Sequence, residues 1–350
     1  MNRLTLCFAA SIAAATISAC GSDSDSNMQP PPAATVTLSA SNVDLVARSA
    51  ANAAVSSAEV ANVNPASTGG SSSNAVKTRS LQQLLLGLTR EVVFDRVMVK
   101  ATPSSSTIPK AQGTITRTDN CASGGTVTAA LEDRDDSNSA TSGDTLTVTF
   151  AQCRPNATDL INGSVSATYS AVQVLPGFAS ATATVTYSQL TASSTEGSFF
   201  INGSFTYNLS RLGSVYTAQL SIGVNGLTAS VTGASYSDTV TLHAGYTVTA
   251  TRDPAALPPG SSIPGVGTLT VNGAISATSI GGTIVISTPV TFRQFDIDPF
   301  PREGQLQVRG VNNGLLVLTV LSTTTVRVQL DANADGTFEV NKDVAWVDLI

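Results

Sequence analysis

The stretch "FFINGSFTYNL" (residues 199–209) decides the fold. Phe199, Ile201, Phe205, Tyr207 and Leu209 share one parity, and Gly203 falls on it as well. A period of two places all of them on one face of a β-strand. The phrase returns as "INGSVSATY" (161–169) and "VNGAISAT" (271–278). Asn-Gly is a strong short-range hairpin signal, so each copy raises a choice between turn and strand. Parity decides it: Ile161, Gly163, Val165, Ala167 and Tyr169 keep one face, as do Val271, Gly273, Ile275 and Ala277. A two-residue turn would split these faces and leave very short strands. Long strands that coil or bulge at the glycine are expected instead, the glycines marking corners of one curved antiparallel sheet. The asparagines at 162, 202 and 272 are unevenly spaced, which argues against a solenoid of fixed repeats.

Strand composition extends outward from these phrases. From about residue 112, Thr, Val, Ser and Gly alternate to the C-terminus, and "TLTVTF" (145–150) puts Leu146, Val148 and Phe150 on one face. "GLLVLTVL" (314–321) is apolar on both faces, so a central strand covered on both sides is expected there. Two helices precede the strands. "SNVDLVARSAANAAVSSAEVAN" (41–62) is alanine-rich, with Ser41 or Asn42 as N-cap. "SLQQLLLGLTREVVFDRVM" (80–98) carries Leu81, Leu84, Leu85, Leu88 and Val92 on one face, a stripe that reads as core and as the cover for the 314–321 strand. The expected fold is mainly β: a large curved antiparallel β-meander, a half-open barrel or roll, with one or two N-terminal helices packed on it.

The N-terminus supplies an address. "MNRLTLCFAASIAAATISAC" has one early positive charge, Arg3, then an apolar run from Leu4 to Ile17. That run is too short to span a bilayer and fits the apolar core of a secretory signal peptide. It ends in Ile17-Ser18-Ala19-Cys20-Gly21, which resembles a bacterial lipobox. The resemblance implies a diacylglycerol thioether on Cys20, cleavage before it and acylation of the new amine. Gly21, where an Asp would retain the protein at the inner membrane, implies delivery to the outer membrane. Each buried methylene contributes about 0.8 kcal/mol, so such an anchor is nearly irreversible. Residues 21–35, polar and then proline-rich, read as a flexible tether. The chain thus divides into signal (1–19), lipid-anchored tether (20–40), helical segment (41–100) and β domain (101–350). Cys7 leaves with the signal and Cys20 is lipidated, which leaves Cys121 and Cys153 for a disulfide in an oxidising compartment. It would close a loop of about 33 residues and contribute roughly 3–4 kcal/mol. Net charge is −6 with 12% charged residues and no basic run, so nucleic acid is not an expected partner.

Catalytic patterns are sparse. His243 is the only histidine, and in "TVTLHAGYTV" it lies on the polar face with Thr241 and Thr247, which reads as a solvated strand position. No histidine/cysteine zinc set can be assembled, and no glycine loop opens a helix to hold phosphate. Glu132, Asp133, Asp135, Asp136 and Asp144 cluster inside the expected disulfide loop and read first as solvated loop acids, then as a second cation site. A carbohydrate-active enzyme would use paired carboxylates there, but aromatics are only 5% of the chain. "DANADGTFE" (331–339) matches the front of an EF-hand loop: Asp331, Asn333 and Asp335 at ligand positions 1, 3 and 5, Gly336 at the sharp turn, Thr337 at 7 and Glu339 at 9. Lys342 stands where a bidentate Glu belongs, and the flanks read as strands. Two explanations stand side by side, a Ca²⁺ site and a turn built by Asp and Asn bonding their own backbone.

Taken together, the lipobox, the alanine-rich helix, "CASGGTVT…SGDTLTVTFAQC…LINGSVSATY" and "LDANADGTFEVNKDVAWVDL" resemble a group of poorly characterised proteobacterial outer-membrane lipoproteins. The resemblance implies class and location, at the periplasmic face or cell surface, and brings no activity with it. A lipid-anchored, non-enzymatic envelope protein with a structural or surface-interaction role is the expectation. Carriage or presentation of an apolar ligand such as a lipid is the alternative.

Overall fold

A computed structural model describes residues 32–61, 113–135, 141–175, 178–233, 237–257 and 265–350. Cys20, the signal and the expected 80–98 helix lie outside them. Among the described residues, fifteen strands form one antiparallel sheet. The first seven are β1 (Gly113–Asn120), β2 (Thr126–Asp133), β3 (Thr145–Cys153), β4 (Leu160–Leu175), β5 (Phe178–Ser194), β6 (Gly197–Leu212) and β7 (Val215–Gly233). Then come β8 (Ser237–Leu242), β9 (Thr247–Asp253), β10 (Val266–Ala277), β11 (Gly282–Phe295) and β12 (Glu303–Arg309). The last are β13 (Leu315–Val320), β14 (Thr325–Asp331) and β15 (Val340–Ala345). Neighbours in sequence are neighbours in the sheet, with β8 and β9 lying end to end between β7 and β10. Among the described residues the helical elements are α1 (Val43–Ala61), a 3-10 turn (Val311–Asn313) and a final turn of helix, α2 (Trp346–Leu349). The β-meander with an N-terminal helix packed on it is the architecture expected from the alternation.

The Asn-Gly phrases lie inside long strands, as parity requires. Gly163, Gly203 and Gly273 all have positive φ (101°, 122° and 134°), and the ladder changes register beside each. A Cβ on Gly203 would sit 2.3 Å from the Gly226 carbonyl oxygen, and one on Gly163 would sit 2.4 Å from that of Gln189. Only glycine lets the neighbouring backbone come so close. The asparagine has a separate task. Asn162 Oδ1 accepts from the Gln152 N–H (2.7 Å) and Asn202 Oδ1 from the Gln189 N–H (3.1 Å). Gln152 and Gln189 both have positive φ (53° and 47°), at bulges in the preceding strands β3 and β5. The side chain thus supplies the acceptor that a bulged N–H loses from the ladder.

Helix α1 lies against β7, β9, β10, β12, β13 and α2. Its alanines let it approach closely: Val46, Ala47 and Ala50 are fully buried, and Ala51 and Ala54 nearly so. Tyr246, also fully buried, reaches the Ala53 carbonyl. Asn42 is the N-cap, its carbonyl accepting from Val46 N–H (3.0 Å), while its side chain turns back to Ser39 N–H and the Thr37 carbonyl. The strand read as central, β13, is third from the C-terminal edge of the sheet. Its inner face, Leu316, Leu318 and Val320, is buried, and of the described helices α1 lies against it. Val317 on the other face is buried too, with Gln307 and Gln329 opposite it.

The end of the expected tether belongs to the body. Thr35 and Val36 N–H groups donate to the Thr283 carbonyl, and Val311 N–H donates to the Val36 carbonyl. Val36 and Leu38 are buried. Gly282 and Gly310 leave room for this strap, since a Cβ on either would lie within 2.6 Å of Thr35, Val36 or Leu38. Composition suggested a free tether through residue 40, but alternating Val36 and Leu38 bury against the sheet.

Candidate functional site

The 331–339 segment joins β14 to β15 as a hairpin loop, with strand flanks on both sides. Asp331 ends β14 and is buried. Its Oδ1 accepts from Asp335 N–H (3.2 Å) and its Oδ2 from Gly336 N–H (2.9 Å). Asn333 Oδ1 accepts from Asp335 N–H (3.0 Å), and Asn333 Nδ2 donates to Asp335 Oδ2 (2.9 Å). Thr337 N–H donates to Asp335 Oδ1 (2.7 Å), and Ala332 N–H to Glu339 Oε2 (2.8 Å). The Thr337 amide and then the Asn333 side chain hold the Asp335 carboxyl below its ordinary pKa. Ala334 and Gly336 take positive φ, as a sharp loop requires.

Carboxylate oxygens of Asp331, Asp335 and Glu339 lie within 4.8 Å of one another. Two oxygens on opposite sides of a Ca²⁺ are separated by about 4.6–5.2 Å, so the spacing admits an ion. All donors are hard oxygens, which suits Ca²⁺ or Mg²⁺ and not zinc. The three acids fall short of the six to eight ligands calcium takes, so Asn333, the Thr337 carbonyl and water would have to complete the shell. Lys342, in place of the twelfth-position acid, points elsewhere and pairs with Asp44 of α1 (2.6 Å). Three of the candidate ligands, Asp331, Asp335 and Glu339, thus come together, and the loop uses the same oxygens to hold its own backbone.

A second acidic group gathers at the β2–β3 loop. Oxygens of Asp133, Asp135 and Asp144 lie within 4.8 Å of one another. Asp144, fully buried, accepts from Arg134 N–H (2.9 Å), Thr141 N–H (2.7 Å) and the Thr141 hydroxyl (2.9 Å). Glu132 faces solvent on β2, and Asp136 lies outside the described residues.

His243 differs from the solvated position expected for it. It is half-buried just past β8, and its Nε2 lies 2.6 Å from Ser276 Oγ, which lies 2.7 Å from Thr283 Oγ1. Burial lowers its pKa. Its partner stands 33 residues away, so no local pattern reveals the pair. Asp238 was also missed: it is buried and accepts from Thr278 Oγ1, Ser279 N–H and Ser279 Oγ (2.7–2.9 Å), fixing the β10–β11 turn. Cys121 and Cys153 form the expected disulfide, with Cα atoms 5.4 Å apart, tying the β1–β2 turn to the end of β3.

Comparison of the chain with protein-family models, with curated proteins and with solved structures found no match among any of the three.

Proposed function

We propose that this chain is a lipid-anchored protein of the bacterial cell envelope, held at the outer membrane through Cys20, with a structural or surface-interaction role and no catalysis. The observation that carries the reading is the strap. A chain anchored at Cys20 enters the body at Thr35–Leu38, which three backbone hydrogen bonds and two buried side chains fix to β11 and the segment after β12. Pull on the anchor is therefore passed directly to the sheet. Carriage of an apolar ligand is favoured less, because α1 occupies space over β7, β9 and β10 where such a ligand would lie. Sugar hydrolysis would need Asp144 as a free acid or base, and its two oxygens already hold the loop.

The anchor is tested by fractionation and mass. The native chain is expected in the outer-membrane fraction with residues 1–19 removed and acyl chains on Cys20. Cys20→Ala is expected to lose both the acyl mass and the membrane association. A native chain that fractionates as soluble and carries no acyl mass contradicts the reading.

Calcium at the 331–339 loop is the second part of the proposal, as a weak structural ion that stiffens the final hairpin. A site this incomplete belongs in the range of about 10⁻⁴–10⁻³ M. Calcium at ~10 mM is expected to raise Tm by a few degrees, and EDTA to reverse the rise. Asp331→Ala is expected to abolish the calcium response. It should also lower Tm without calcium, because two loop N–H groups lose their acceptor. A calcium response that survives in Asp331→Ala contradicts the site.

A further inference from the structure

The two ends of the sheet differ. Thr35–Leu38, the β10–β11 turn and the 331–339 loop lie at one end, together with the β1–β2, β3–β4 and β5–β6 turns, because strand direction alternates along the meander. At the opposite end, the hairpin tips carry exposed large apolar side chains. Leu175 closes β4, Leu212 and Val215 flank the β6–β7 turn, and Leu257 stands in the β9–β10 connection. Ile297 follows β11, Leu321 follows β13, and Val347 lies on α2 after β15. These are seven of the twelve exposed large apolar side chains among the described residues, and only Phe338 stands in a described turn at the strap end. Leu212 and Leu257 are the most exposed of the twelve, at 69% and 64%.

We propose that this distal rim docks on a bilayer surface, each tip inserting one or two apolar side chains below the headgroups. Tips of successive hairpins at this end are two strands apart, about 10 Å, and the series covers roughly 40 Å of arc. Isolated points on a long arc do not make the contiguous patch of about 800 Å² that a stable protein partner needs. A fluid surface accepts them one by one. Polar groups behind the tips suit the headgroup level. Arg211 lies over the Tyr216 ring (5.3 Å) directly behind Leu212 and Val215, an arginine–aromatic pair of the kind that sits at membrane interfaces. Farther along, Arg252 pairs with Asp296, Arg302 with Asp298 and Arg293 with Glu303. Those charges are neutralised in pairs, while the β2–β3 loop, at the same end and packed on β4, adds the acids Asp133, Asp135 and Asp144, so the matching surface is zwitterionic and not anionic, and the attraction is apolar, with little dependence on salt. This contact does not depend on the Cys20 anchor, which is read separately by mass.

The sole tryptophan makes the test direct. Trp346 Nε1 has no hydrogen-bond partner among the described residues, so the full chain with Trp346→Phe provides a background for single tryptophans at Leu212→Trp, Leu257→Trp and, at the strap end, Phe338→Trp. Each is mixed with phosphatidylcholine vesicles brominated on the acyl chains. The expected result is at least twofold quenching at both rim positions, unchanged when salt is raised to about 0.5 M, and none at Phe338→Trp. Absence of quenching at the rim overturns the proposal. So does equal quenching at all three positions, which means that the body lies on the membrane without preference for this end. A rim tryptophan that shifts to the blue with protein concentration, without lipid, also overturns it and assigns the rim to a second copy of the chain.

Discussion

Gly203→Ala is expected to destabilise the protein by about 3–5 kcal/mol, a large share of the stability of an ordinary domain. Two penalties add. At φ +122° an L side chain is strained, and the new Cβ would sit 2.3 Å from the Gly226 carbonyl oxygen, which is main chain and cannot rotate away. The ladder between β6 and β7 changes register just beyond this position, so relief would require the corner itself to open. Gly223, in β7, is the internal control. Its φ is not positive, and a Cβ placed there would meet no atom within 4 Å, so Gly223→Ala is expected to be neutral or to stabilise by about 0.5 kcal/mol. Urea denaturation of the two variants measures the difference, and equal midpoints would mean that the corner is not where the backbone places it.

Ala50→Asp is the second large effect. Ala50 is fully buried where α1 meets the sheet, and no basic residue of α1 lies within one helical turn on that face. A carboxylate there must stay unpaired or take up a proton, costing about 3–5 kcal/mol. Asn52→Asp, on the exposed side of the same helix, is expected to change stability by less than about 0.5 kcal/mol. Thermal melting of the pair tests whether the alanine face of α1 is the face that packs. Similar losses for both variants would contradict it.

Much of this architecture was legible because it rests on local periodicity. The alternation through Asn-Gly is visible in eleven residues, and it overrules the turn propensity of the dipeptide since burying a whole strand face outweighs one local preference. The disulfide followed from counting thiols, and the acids of the 331–339 loop lie close enough in sequence to predict that they converge. What escaped depends on distance along the chain. The bulge at Gln189 is completed by Asn202, thirteen residues on, and His243 meets Ser276 of the neighbouring strand β10, 33 residues on. Proline-rich composition concealed that Val36 and Leu38 dock, because two alternating apolar residues after a polar run give little signal. The apolar rim was invisible for a similar reason: each tip residue is ordinary alone, and only strand direction brings them to one end.

Hydrogen exchange across the intact chain tests the central structural claim most directly. Slow exchange is predicted for peptides spanning 160–175 and 197–212 straight through Gly163 and Gly203, and for the Val36 amide in the strap. Rapid exchange confined to residues 161–164 and 201–204, as two-residue hairpin turns would show, would contradict continuous strands and the single sheet built from them.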